Sequence, residues 1–273
     1  MLPTMKIGDL EITRLVVGSN PFTGKSHLDP STDNDMKSYF SDEQAFAMLR
    51  RCEEAGINAI QSRGNMPVMG LIDRYRKAGG NMLWLAQSGK NLQTFDEELD
   101  EMVKYNPAAI CIHGELADDL YLNGMLDELG GLLDRIRRKN LPCGVCAHFP
   151  EVLAYAEEKG LKPDYYMASL YNLFQPDRSH DVNPEGERFE ESDIPKMYEV
   201  IRNLSAPTIA LKILGAGRRC ETQEQVRNAF IEAFSSMKKG DGVLVGMFDK
   251  YIDQPALNAQ YTLEAIKLAE KVH

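Results

Sequence analysis

"AAICIHGE", residues 108–115, runs from small and apolar residues into a histidine, a glycine and a glutamate. An apolar run of this length fits a strand buried on both faces, as in a parallel sheet. If Ile110 and Ile112 face a covering layer, the period of two turns Cys111 and His113 to the other side. The same kind of unit recurs along the chain. Upstream stand "RLVVG" (14–18), "INAIQ" (57–61) and "MLWLAQ" (82–87); downstream stand "CGVCAH" (143–148), "DYYMAS" (164–169), "TIALKI" (208–213) and "GVLVGM" (242–247). Amphipathic stretches alternate with them. One begins at Ser41, a predicted N-cap, and ends before Gly56. The others cover 68–79, 95–106, 125–140, 150–160, 193–205, 222–240 and 256–272. In the fourth of these, Met125, Leu126, Leu129, Leu132, Leu133 and Ile136 repeat at helical spacing.

Eight strand–helix units in 273 residues predict an α/β fold, a (β/α)8 TIM barrel spanning 1–273 as a single domain. An open doubly wound sheet is the competing topology. It is disfavoured because "VVGSNPFTG", after the first strand, lacks the G-x-G-x-x-G spacing of a dinucleotide turn. "MKIGDLEI" (5–12) predicts a β-hairpin turning at Gly8–Asp9, placed to plug the bottom of the barrel.

A hydrophobic fraction of 43% provides a core, and a net charge of −10 sets the surface against phosphate backbones and anionic membranes. The expected partner is therefore a small molecule, with no nucleic acid and no membrane. The N-terminal residues show no basic start followed by an apolar run, and no window approaches a membrane span. Five cysteines without a secretion signal predict reduced thiols and a cytoplasmic location. "CGVC" (143–146) has the spacing of a redox or zinc pair, but it lies within a strand run and reads more simply as small strand residues.

In such a barrel the active site gathers at the C-terminal ends of the strands. The strand ends offer Gln61, Gln87, His113, His148, Ser169 or Tyr171, and Lys212. On the seventh strand the alternation assigns Ile209, Leu211 and Ile213 outward and Ala210 and Lys212 inward. Two histidines and a lysine at one mouth predict His113, His148 and Lys212 as catalytic groups. Asn20, Gln61, Gln87, Glu115 and Tyr171 are then predicted substrate contacts. Hydrogen-bonded wall histidines and a snorkelling surface lysine are the plainer alternatives. A divalent metal held by His113, His148 and Glu115 also stays open. "KILGAGRR" (212–219) brings Gly215, Gly217, Arg218 and Arg219, and the eighth loop brings Gly246 and Lys250. Together they predict a pocket for a phosphate or carboxylate. The long loops 19–40 and 172–192 read as lids or substrate walls, with disorder the alternative.

The chain resembles the aldo/keto reductase superfamily in an ordered series of segments. These are "MKIGDLEITRLVVGSN", "AGINAIQS", "ICIHG", "SLYNLF", "LKILGAGR" and "DGVLVGMFDKYIDQPALNA". The resemblance implies the barrel with its hairpin plug, and carbonyl reduction by NADPH through a tyrosine, an aspartate, a lysine and a histidine. It implies NADP contacts at Gly215, Gly217, Arg218, Gly246, Lys250 and Asn258, with Tyr171 as the ring-stacking residue. Most of that tetrad is missing. Gln61 stands where the aspartate would be, "SRGNMPV" has no tyrosine, and Gln87 replaces the lysine, so only His113 remains. The pair that would hold the nicotinamide amide reads Cys146–Ala147 or Ala147–His148. A glutamine cannot be tuned as a proton donor. The expectation is an inherited fold with different chemistry: acid–base work on a small polar, sugar-like metabolite bearing phosphate or carboxylate. A divergent NADP(H)-dependent oxidoreductase and a non-catalytic binding barrel are the alternatives.

Overall fold

A computed structural model describes residues 1–173 and 189–271. Two short strands, β1 (Thr4–Ile7) and β2 (Leu10–Thr13), pair antiparallel across Gly8–Asp9. There follow β3 (Leu15–Gly18), α1 (Pro30–Tyr39), α2 (Asp42–Glu54), β4 (Ala59–Arg63), α3 (Val68–Lys77) and β5 (Leu83–Gln87). Next come α4 (Phe95–Val103), β6 (Ala109–Ile112), α5 (Gly114–Leu122), α6 (Glu128–Arg137), β7 (Cys143–Ala147) and α7 (Pro150–Glu158). The chain ends with β8 (Tyr165–Ser169), α8 (Asp193–Asn203), β9 (Thr208–Leu211), α9 (Gln223–Ser236), β10 (Gly242–Gly246) and α10 (Gln254–Ala269). Strands β3 to β10 form a closed parallel barrel in chain order, with β10 pairing β3 to shut it. The protein is a (β/α)8 TIM barrel with a separate N-terminal hairpin.

The strands are buried on both faces, and two apolar clusters result. The outer one packs Val17, Ile60, Trp84, Ile110, Ile112 and Val145 against the helices. The inner one fills the barrel with Val16, Ala59, Leu85, Cys111, Tyr165 and Met167. Met5, Ile7 and Ile12 of the hairpin join this inner cluster, so the hairpin closes the barrel from below. Gly144 makes room for Tyr165: a Cβ there would lie 2.7 Å from the tyrosine ring. Cys143 belongs to the outer cluster and Cys146 to the inner one. Three residues apart on a strand, the two thiols face opposite ways and form no redox or zinc pair.

The alternation on β6 follows the sequence, with Ile110 and Ile112 outward and Cys111 inward. On β9 it is reversed. Ile209 and Leu211 pack in the barrel interior and Ala210 outside. A strand apolar on both faces carries no phase information, and the register with β8 sets it instead: Ile209 pairs with inward Met167. Two further helices stand outside the amphipathic stretches marked in the sequence. α1 lies in the 19–40 segment, opened by Asp29, which accepts the Thr32 N–H, and by Pro30. α5 follows β6 with only His113 between them. Much of the other long loop, 174–188 of 172–192, lies outside the described residues. Among the described residues no helix is long and apolar enough to cross a membrane.

Candidate active site at the barrel mouth

His113 is the N-cap of α5. Its Nδ1 accepts the Glu115 N–H at 3.0 Å, and its own N–H donates to Ser88 Oγ at 3.0 Å. The cap fixes the neutral tautomer with the proton on Nε2. Burial, and then the charges of Lys90, His148, Arg63 and Lys212, hold its pKa well below the usual imidazole value. His113 is therefore a neutral hydrogen-bond donor at pH 7.

His148 follows β7 and meets a carboxylate from α5. Its Nδ1 lies 2.6 Å from Asp118 Oδ2, and the backbone N–H groups of His148 and Phe149 also donate to that carboxylate, at 3.1 and 3.3 Å to Oδ1. Asp118 is fully buried. Burial pushes its pKa up to about 8, while the two backbone donors favour the ionised form. On the other side of the ring, Lys212 Nζ lies 3.4 Å from His148 Nε2. The strand's phase alone would turn Lys212 away from the mouth. β9 ends at Leu211, however, and Lys212 has φ +62°, a left-handed conformation that re-aims its side chain. A lysine in that region costs roughly 1–2 kcal/mol, and such strain concentrates at functional sites. Lys212 Nζ, the imidazole and Asp118 thus form one line along which a proton can pass. Gly114 permits it: a Cβ there would lie 3.0 Å from His148 Cε1 and 3.2 Å from Nδ1.

Gln61 Nε2 donates to Gln87 Oε1 at 3.2 Å, so these two amides form one polar wall. Arg63 ends β4 in the same inward phase as Ala59 and Gln61 and pairs in register with Gln87. Its Nε is shielded from water without a hydrogen-bond partner. Glu115 forms an ion pair with Lys90. A cavity of about 280 Å³ opens beside His148, lined also by Tyr121, Phe149, Ser169, Asn172 and Lys196.

Other predicted residues lie elsewhere or are already engaged. Asn20 is exposed, its amide 3.0 Å from the His27 ring. Tyr171 is buried, donates to Glu191 at 3.0 Å and packs edge-on against Phe189. Gly215 and Gly217 do form a tight turn with φ of +55° and +94°. Arg218 next to it donates to the His27 carbonyl at 2.8 Å and stacks over Phe189 at 3.8 Å. Arg219 pairs with Glu232 at 2.8 Å. Lys250 pairs with Asp35 of α1, Gly246 packs under Pro21, and Asn258 is buried within α10. Arg218 and Lys250 thus each make a contact within the chain. The His113, His148 and Glu115 trio does not converge. Glu115 is turned to an ion pair with Lys90. Among the described residues no group of three or more metal-ligating side chains assembles.

Asp118, Arg63 and Ser88 escaped the sequence reading. Leu116, Ala117 and Leu120 gave a helical spacing that announces α5 and places Asp118 near the strand end. The alternation Ala59, Gln61, Arg63 would have found the arginine.

No family model matches the chain, and no curated protein matches it. Among solved structures it is similar to an aldo-keto reductase from Bacillus halodurans in holo form (TM-score 0.60, 12% identity, 100% of this chain and 96% of that one). A truncated 3-deoxy-D-arabino-heptulosonate 7-phosphate synthase from Thermotoga maritima is similar too (TM-score 0.58, 12% identity, 99% and 93%). So is dihydropteroate synthase from Yersinia pestis (TM-score 0.52, 10% identity, 98% and 98%). At such identities the likeness shows the barrel fold and does not choose among these chemistries.

Proposed function

We propose that the protein is an enzyme that carries out acid–base chemistry on a small polar metabolite at the barrel mouth. The observation that carries this reading is the line from Lys212 Nζ through the His148 ring to buried Asp118. Asp118, with its pKa raised to about 8, orients the ring and shares a proton with it, and Lys212 brings positive charge to the face where a base would work. His113 contributes a neutral N–H donor for an oxygen that gains charge. Gln61 and Gln87 suit hydroxyl groups, which they recognise without titrating.

Reduction by NADPH fits the site less well. Gln61 and Gln87 bond to each other and supply no acid, and Arg218 and Lys250 are held by the protein. A fluorescence titration checks this: no saturable quenching of NADPH is expected. Saturable quenching would restore the reductase reading.

The test of the acid–base reading is proton exchange. Sugar acids, hydroxy acids and sugar phosphates incubated with the enzyme in D2O are followed by proton NMR. One class should lose a carbon-bound proton signal or convert to product. His148→Asn and Lys212→Met should each slow that reaction by about a hundredfold or more, the usual scale for losing a general acid or base. A reaction that survives both substitutions sinks the assignment.

A further inference from the structure

The cations around the mouth are not all balanced by acids. Lys90 is matched by Glu115. Asp118 is occupied by the His148 ring and two backbone N–H groups. Arg63 has no ion-pair partner among the described residues, and its Nε is sealed from water without an acceptor. An orphaned buried donor of this kind costs stability, and it calls for an explanation such as an acceptor supplied from outside the chain. Composition does not explain the cation, since the chain as a whole carries −10. Arg63 pairs in register with Gln87, whose side chain accepts from Gln61, so it stands beside the polar wall of the mouth.

We infer that Arg63 forms an oxyanion subsite in the barrel mouth, binding the carboxylate or phosphate of a small anionic substrate. The inward phase of Arg63 on β4 aims it at the mouth, and its two Nη groups, which are not sealed as Nε is, match two oxygens of either group. This differs from the 215–219 turn, where Arg218 and Arg219 are bound to the protein itself. The inference rests on the acid–base reading for the identity of the reacting centre: an anion anchored at Arg63 leaves the rest of the substrate to meet Lys212 and His148. It does not rest on that reading for binding.

Inorganic phosphate and malonate are the probes, titrated calorimetrically into the wild type, Arg63→Gln, Arg63→Lys and Arg218→Gln. The wild type should bind at least one probe saturably, and the preferred probe tells phosphate from carboxylate recognition. Arg63→Gln should weaken binding about tenfold or more, with Arg63→Lys between, because lysine keeps the charge and loses the fork. Arg218→Gln, in the turn outside the mouth, should stay within about threefold of wild type. A second readout needs no arginine variant. Saturating anion in the wild type should move the His113 titration upward by NMR, because it offsets the nearby cations that add to burial in lowering it. Folded Arg63→Gln binding both probes like wild type overturns the subsite. So does a wild type that binds neither, or a His113 titration that ignores a bound anion. If anion binding needs Arg63 while His148→Asn leaves turnover intact, the subsite stands and the acid–base reading falls.

Discussion

Half-buried His113 and fully buried Asp118 are two titratable groups a few residues apart, and they respond to pH in opposite directions. Asp118 has a pKa raised from 3.8 to about 8. Its contribution to stability is full below 3.8 and is lost as pH rises through about 8. Asp118→Asn removes that proton equilibrium while keeping the shape. Its melting temperature should therefore fall less than that of wild type as pH is raised across this window, whatever its absolute value. His113 has a pKa lowered from 6.5, so its contribution is present above 6.5 and is lost as pH falls below it. His113→Asn retains a capping acceptor and removes the titration. That variant should lose less stability than wild type between pH 6.5 and the acid transition. Thermal melts over a pH series separate the two slopes. Parallel curves for either variant and wild type would contradict the corresponding assignment. At this scale the sequence announced the histidines and the lysine as polar groups interrupting apolar runs. It did not announce Asp118, because the partner of a strand-end histidine is set by where the next helix begins.

At the scale of elements, the site depends on how closely α5 approaches β7. Gly114 is the first residue of α5 and sits against the His148 ring. Alanine is the better helix former by about 1 kcal/mol. Its Cβ would nevertheless meet His148 Cε1 at 3.0 Å and Cys146 Sγ at 3.2 Å, both in a packed interior. The clash should win, so Gly114→Ala is expected to destabilise by about 1–3 kcal/mol, the usual cost of overpacking. It should also shift the His148 ring resonances, as the bond to Asp118 stretches. A more stable variant with unchanged His148 signals would show that the elements have slack there. The hairpin gives a second element-scale expectation. Ile12 is fully buried beneath the barrel, so Ile12→Ala should cost about 2–5 kcal/mol in denaturant unfolding. A loss below about 1 kcal/mol would mean that the hairpin covers the barrel without packing into it. Strands and most helices were legible because each pairs an apolar run with a turn signal. The phase of β9 was not legible, since both its faces are apolar. α5 was missed because it starts right after β6 with no turn signal between them, although Leu116, Ala117 and Leu120 carry its spacing.

For the molecule as a whole, closure is the property that the repeat of strand and helix implies and the register completes. The seam lies where β10 meets β3 on one side and β9 on the other. Asp241, just before β10, pins it. Its carboxylate accepts the Thr208 N–H at 2.9 Å at the start of β9, and the Lys238 ammonium at 2.7 Å. Its carbonyl accepts Arg14 Nε at 2.6 Å, from the residue before β3. Both neighbours of β10 are thereby tied to one residue that is almost wholly buried. Asp241→Ala leaves the Thr208 N–H and the Lys238 ammonium without their partner, which should cost about 3–5 kcal/mol. The single tryptophan, Trp84, reports from β5, away from this seam. Loosening the seam leaves β10 and its neighbours β3 and β9 with open edges, and the expectation is that the barrel then unfolds as one unit. Trp84 fluorescence and far-ultraviolet circular dichroism should therefore report the same lowered midpoint in Asp241→Ala. If circular dichroism falls first while Trp84 stays native, the seam opens locally, and the barrel is held by its β4–β8 arc rather than by closure.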